Sequence, residues 1–239
     1  MRFTKEQKEI EFWEEHYLNQ IEFMLKQDIN KMLDGLKSKD KIKDDWIEIF
    51  RNTEKKRQNS DFARGAERIY YWLFNQFGTP NSAPIGADMF FETYNAFVHI
   101  DIKTAKFDNP SDYKGKIPLG ANQTSYKVDN ANFEVHLPTK YSFENKLCLT
   151  YLINIIYDIN LDNLEIKAII LIAVPNGKLS SIYGDSIINA GKRGYESQGF
   201  RYVYSANPNF VTIKNSSRIR IIFCSDDIKN KINKIIGLV

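Results

Sequence analysis

The chain has little of what most metal, redox and membrane chemistry needs. Only two cysteines and three histidines occur in 239 residues. Cys148 and Cys224 sit in the apolar contexts KLCLTYL and IIFCSD, which reads as buried free thiols and argues against a disulfide framework. His16, His99 and His136 are far apart and belong to no H-x-x-x-H or histidine–cysteine cluster, so zinc-ligand spacing is absent. Long apolar runs are missing too. The best candidates, LCLTYLINIIYDI and IKAIILIAV, fall short of the roughly 18 residues that cross a bilayer. The opening MRFTKEQKEIEFWEEHYLNQ is charged throughout and carries no signal-peptide h-region. These absences lead us to expect a soluble, cytoplasmic protein with no membrane partner. No GxxxxGK[ST] or GxGxxG loop is present, which argues against a nucleotide cofactor, and no G-x-S-x-G elbow is present.

What remains is an ordinary globular composition, 43% hydrophobic and 13% aromatic, long enough to bury a substantial core. The net charge of +3 suits a nucleic-acid partner only where the positive residues cluster on one face. Residues 4–36 show helical spacing at Ile10, Trp13, Tyr17, Ile21, Met24 and Leu25. A shorter helix is expected around Trp46 to Arg51. Ser60 or Asp61 can cap another helix running to about Phe77. After the turn-rich GTPNS, strands dominate: Met89 to Thr93, Ala96 to Thr104, Leu147 to Asp158, Leu164 to Val174 and Arg218 to Phe223, with weaker ones near Tyr202 and Val211. A helix is expected from Leu179 to Lys192. Residues 105–145 read as a polar loop too long to be an idle connector. The fold class is mixed α/β, of α+β type: a central mixed β-sheet flanked by helices, with an N-terminal helical segment. We expect a single domain over 1–239. Residues 1–55 form a helical appendage used for dimerisation or DNA contact, or cap the core, and 60–239 form the catalytic core.

Two aspartates in strands otherwise apolar draw attention. If Tyr94 and Asn95 form a two-residue hairpin loop, paired residues have numbers summing to 189, and Asp88 faces Asp101. Cross-strand neighbours have Cβ atoms about 4.5–5.5 Å apart, and like charges so placed repel unless a cation lies between them. Magnesium takes oxygen ligands, often one or two carboxylates completed by waters and a phosphate. Lys103 shares the strand face of Asp101 by the period of two. The tripeptide Asp/Glu-x-Lys alone is uninformative, since it occurs seven times, starting at Glu6, Glu54, Asp101, Asp112, Glu144, Glu165 and Asp227. Only Asp101-Ile-Lys103 ends an apolar strand that follows another strand bearing its own acid. Glu165-Ile-Lys167 competes, but its place at the start of a strand reads as an exposed rim. His99 shares the parity of Asp101 and is expected in the core or beside the site.

At Pro84-Ile-Gly-Ala-Asp88, followed after twelve residues by Asp101-Ile-Lys103, the sequence resembles the PD-(D/E)XK nuclease superfamily, and its layout looks most like a type II restriction endonuclease. The proline is not adjacent to the aspartate, a departure from the motif. The resemblance implies a restriction-endonuclease-like core and a catalytic set of Asp88, Asp101 and Lys103, with Asp88 and Asp101 as ligands of Mg²⁺. Glu67, on the preceding helix, matches a further acidic position of the family, or is a solvated helix carboxylate. The implied activity is hydrolysis of phosphodiester bonds in double-stranded DNA at a short specific sequence, leaving 5′-phosphate and 3′-hydroxyl ends. A homodimer is expected from the twofold symmetry of a duplex site.

Sequence readout has to come from elsewhere. Asn122, Gln123, Thr124, Ser125 and Tyr126 form one candidate segment, because such amides and hydroxyls read base edges, although the same residues suit an Asx-type turn. Lys192, Arg193, Arg201, Arg218 and Arg220 form the densest late basic group, either a phosphate clamp or a generic solvated surface. The rivals are a junction resolvase or nickase of the same fold, and a non-catalytic DNA-binding module.

Overall fold

A computed structural model describes residues 3–37, 65–67, 69–70, 74, 88–109, 115–119, 136–137, 140, 144–160, 163–175, 177–178, 182–190 and 200–237. Thr4 starts helix α1 (Lys5–Lys26) with a reciprocal cap. Its hydroxyl accepts from the Gln7 N–H at 3.1 Å, and the Gln7 carboxamide accepts from the Thr4 N–H at 2.9 Å. The single helix expected over 4–36 is broken at Gln27–Asp28. There the Asp28 carboxylate accepts from the Lys31 N–H at 3.1 Å and starts α2 (Ile29–Lys37).

Among the described residues ten strands follow: β1 (Met89–Glu92), β2 (Ala96–Lys106), β3 (Lys116–Leu119), β4 (His136–Leu137), β5 (Leu147–Asn160), β6 (Asn163–Val174), β7 (Gly177–Lys178), β8 (Ile188–Ala190), β9 (Phe200–Val203) and β10 (Ile219–Cys224). Helix α3 (Lys229–Ile236) comes last and ends on Gly237, whose φ of 72° is the left-handed conformation glycine tolerates. The central sheet has five strands in the order β1-β2-β5-β6-β10. It is mixed, because β2 and β5 run parallel while β1–β2, β5–β6 and β6–β10 are antiparallel. A three-stranded sheet β3-β9-β8 packs on it through Ile117 and Tyr202, and β4 and β7 form a separate pair.

Strands buried on both faces are apolar almost throughout, and β5 and β6 follow this except at Thr150, Asn154 and the residues near the turn that joins them. One face packs Val98, Ile100, Tyr151, Ile153 and Leu171 against Leu18, Ile21 and Leu25 of α1, Leu36 of α2 and the helical residues Tyr70 and Phe74. The other packs Leu152, Ile156, Ile170 and Ile172 against Ile117, Tyr202 and the α3 residues Ile232 and Ile236. The N-terminal helices therefore lie on the core. The segments 38–64 and 120–135, including the helix expected around Trp46 to Arg51, fall outside the described residues.

The helix expected from Leu179 to Lys192 is corrected. Ile182 and Tyr183 make a helical turn, Gly184 breaks it with φ 91°, and a 3₁₀ turn at Asp185–Ile187 leads into β8. Apolar residues at 182, 183, 187 and 188 satisfied a helical period, yet they serve a turn and a strand. The strand expected near Val211 is corrected as well. The N–H groups of Val211 and Thr212 donate to the Glu11 carboxylate at 3.0 and 2.6 Å, which removes them from any sheet ladder.

That carboxylate belongs to a buried ionic cluster joining α1 to the start of β10. Arg218 Nη2 lies 2.7 Å from Glu14 Oε2 and 3.3 Å from Glu11 Oε1, and it donates to the Tyr183 hydroxyl, which itself donates to Glu11. The guanidinium also lies 4.1 Å from the Phe210 ring centroid. Burial pushes the Glu11 carboxyl up, but hydrogen bonds from Thr212, Tyr183 and Val211 and the Arg218 charge hold it below the ordinary carboxylate value.

Candidate active site

The hairpin forms as its register requires. Met89 pairs with Ile100, Phe90 with His99, Phe91 with Val98 and Glu92 with Phe97. Tyr-Asn is not a favoured hairpin dipeptide, and contacts beyond it hold the loop. The Thr93 hydroxyl donates to the Ala96 carbonyl and accepts from the Ala96 N–H, both at 3.0 Å. From α1, the Tyr17 hydroxyl donates to Asn95 Oδ1 at 2.6 Å.

Asp88 stands immediately before β1, at the position opposite Asp101. Its Oδ2 accepts from the Ile102 N–H at 2.6 Å, which fixes the carboxylate beside β2. Asp101 is 2% exposed and shares its sheet face with Lys103. Lys103 Nζ approaches Asp101 Oδ2 to 2.5 Å, although that buried oxygen accepts no well-directed hydrogen bond. Burial pushes the Asp101 carboxyl up to about 7; the Lys103 charge opposes this and the Asp88 charge adds to it. A carboxylate so disfavoured gains from any added positive charge. Asp88, Asp101 and Lys103 thus come together as the sequence pattern requires.

Neighbouring residues complete the surface. His99 is buried with its ring 5.1 Å from that of Phe90. Burial lowers its imidazole to about 4, leaving it neutral near pH 7. Glu67 is half-buried on helical residues 65–67. Its neighbours Ala66 and Tyr70 enter the helix-side core, on the sheet face opposite Asp101. The rival Glu165-Ile-Lys167 is a rim cluster: Lys167 bridges Glu165 and Asp227, each at 2.9 Å.

The basic group divides. Arg218 is 1% exposed and locked between Glu11 and Glu14, so its assignment to DNA contact is corrected. Its charge is neutralised inside the protein, out of reach of a phosphate. Arg220 is partly exposed and is held by Glu22 at 3.0 Å and Asn19 at 3.2 Å, both on α1. Arg201 is half-buried on β9, opposite Pro118 and Asn189 and on the face away from buried Tyr202. Asn122, Gln123, Thr124, Ser125, Tyr126, Lys192 and Arg193 lie outside the described residues.

Sequence reasoning missed a polar strip on the parallel neighbour of β2. Thr150 pairs with His99 and Asn154 with Lys103, so both side chains share the face of Asp101. Their signal was faint: single polar residues within LCLTYLINIIY.

The model of the N-terminal domain of the type II restriction enzyme MwoI matches residues 6–163, and that of its central domain matches residues 166–224. The chain belongs to the MwoI family of type II restriction enzymes. It is accordingly a site-specific DNA endonuclease. Two solved structures share its fold. The restriction endonuclease BglI, bound to its DNA recognition sequence, has a TM-score of 0.63 at 17% identity and covers 90% of each chain. The tetrameric restriction endonuclease SfiI, bound to cognate DNA, has a TM-score of 0.59 at 16% identity, covering 92% of this chain and 86% of its own. No curated protein matches the sequence.

Among the described residues no group of three or more His, Cys, Asp or Glu side chains is assembled. Two opposed carboxylates, one with a buried oxygen lacking a directed hydrogen bond, nonetheless fit a hard cation that keeps water and phosphate ligands. No described helix is long and apolar enough to cross a membrane.

Proposed function

We propose that this endonuclease is a Mg²⁺-dependent enzyme of PD-(D/E)XK type, in which Asp88, Asp101 and Lys103 carry the chemistry. The observation behind this reading is the juxtaposition of the Asp88 and Asp101 carboxylates across one hairpin, with Lys103 against Asp101. Asp88 and Asp101 would hold the metal, which supplies Lewis acidity toward the scissile phosphate and an acidified water when bound. The Ile102 N–H orients Asp88, and the rigid β2–β5 pairing fixes the direction of Asp101. Lys103, partly exposed, presents a cation where negative charge accumulates on the phosphoryl oxygens and orients the attacking water. The leaving 3′-oxygen departs with a proton, so the ends are 5′-phosphate and 3′-hydroxyl.

Double-stranded DNA is the substrate, and two copies of the chain related by a twofold axis cut its two strands. The outer face of β9, with Arg201, contributes phosphate contacts, and residues 122–126 contribute base readout. Glu67 adds an acidic position on the helical side. The whole chain acts as one nuclease domain.

The test is incubation of the purified protein with long unmethylated duplex DNA, with and without Mg²⁺, beside Asp101→Ala and Lys103→Ala. Discrete fragments that require Mg²⁺, Asp101 and Lys103 are expected. Both variants should still bind DNA, because phosphate contacts elsewhere supply most of the affinity. Undiminished cleavage by Asp101→Ala would overturn the assignment.

A further inference from the structure

Two buried polar side-chain atoms without a directed hydrogen bond, Thr150 Oγ1 and Asn154 Nδ2, lie on the Asp101 face of the sheet. Each unsatisfied buried group costs about 1–3 kcal/mol, so their place beside a catalytic pair calls for a reason. Asn154 is 1% exposed in a strand whose neighbours Ile153 and Ile155 are fully apolar. It is the register partner of Lys103 on the parallel strand. Paired strands lie about 4.8 Å apart, which puts the carboxamide beside the lysine stem. On its other side it lies within hydrogen-bonding reach of the buried Tyr204 hydroxyl.

We infer that Asn154 is a positioning residue for Lys103, offering its Oδ1 as a second seat for the ammonium while Nδ2 turns to the Tyr204 hydroxyl. In the structure described here the ammonium rests on Asp101 at 2.5 Å. Lysine has three donors and no acceptor, so an ammonium that leaves Asp101 needs another oxygen to hold its direction. Asn154 is the nearest register neighbour able to accept. Tyr204 fixes which end of the amide faces the lysine, because an amide aimed with Nδ2 toward an ammonium would repel it. Lys103 then stays aimed at the reacting phosphate when Asp101 has other partners. This inference rests on the proposed role of Asp101 and Lys103.

The test pairs a cleavage assay with one that needs neither metal nor activity. In single-turnover and steady-state cleavage, Asn154→Leu should lower kcat by roughly 10²-fold, the order expected for a displaced catalytic group. KM and metal-free DNA binding should stay within about twofold, as expected when a mutation removes an interaction made only in the transition state. Tyr204→Phe should lower kcat several-fold, since it removes the hydroxyl that fixes which end of the Asn154 amide faces the lysine. Asn154→Gln, which keeps an amide oxygen, should retain more kcat than Asn154→Leu. In metal-free protein carrying Asp101→Asn, reductive methylation of Lys103, followed by mass spectrometry, should quicken when Asn154→Leu is added. If Asn154→Leu and Tyr204→Phe cleave at the wild-type rate and Lys103 methylation is unchanged while Asp101→Ala is inactive, the inference is overturned and the site assignment stands. Retained cleavage by Asp101→Ala overturns both.

Discussion

Replacing Asp101 by asparagine should make the metal-free protein more stable at neutral and alkaline pH. Burial pushes the Asp101 carboxyl from 3.8 to about 7, against the pull of Lys103 and with the push of Asp88. The native state therefore holds a proton that the unfolded chain has released between these values, and wild-type stability falls as pH rises across that window. A displacement of about three pH units at roughly 1.4 kcal/mol each gives an upper limit near 4 kcal/mol above pH 7. Asparagine keeps the shape, stays neutral and escapes the penalty. For a chain of this size the limit corresponds to a rise in Tm of roughly 8–16 °C. Urea unfolding of both proteins in EDTA from pH 4 to pH 8.5 should give curves that nearly coincide at the acid end and diverge steadily up to about pH 7. A variant less stable than wild type at pH 8, or a difference independent of pH, would refute the reasoning.

Further outcomes follow from the same geometry. Magnesium should raise the Tm of the wild type and leave that of Asp101→Asn nearly unchanged, because a ligand stabilises only the state that binds it; thermal scans with and without EDTA check this. Arg218→Ala should cost about 3–5 kcal/mol in urea unfolding, since it leaves Glu11 and Glu14 buried without their cation. The Glu11 carboxyl is held below its ordinary value, so its contribution is present near neutrality and lost as pH falls through the folded value. Glu11→Gln should accordingly flatten the acid limb of the stability profile. Arg201→Ala should weaken DNA binding across sequences and reduce the salt slope by about one, read by titration at several salt concentrations.

The sheet was legible because its strands announce themselves by largely apolar runs, and the hairpin register followed from counting out from Tyr94-Asn95. That count placed Asp88 against Asp101, and the paired residues Met89 to Glu92 agree with it. What the count did not contain is the support for so plain a loop, since Tyr17 lies 78 residues away from Asn95. The same blindness to distance misassigned Arg218. A run of late basic residues looks like a surface, but the partners that bury this one sit 207 and 204 residues upstream. Residues 105–145 were read as loop, although β3 and β4 lie within them. Strands of four and two residues carry too few positions for a period to show. Asn154 was passed over because one amide in an apolar strand matters only once its lateral neighbour is known.

The ion cluster also sets an order of events during synthesis. Glu14 leaves the ribosome 204 residues before Arg218. At about 5–20 residues per second this is a delay of roughly 10–40 s. Until Arg218 emerges, α1 carries two glutamates with no buried cation to receive them, and the helix-side core cannot close over the sheet. A chain cut short before residue 218 would therefore lack the clasp that seats α1, and with it the Tyr17 contact that supports the Asp88–Asp101 hairpin. Seating of α1 on the sheet, and with it a closed nuclease core, thus waits for the segment that carries Arg218.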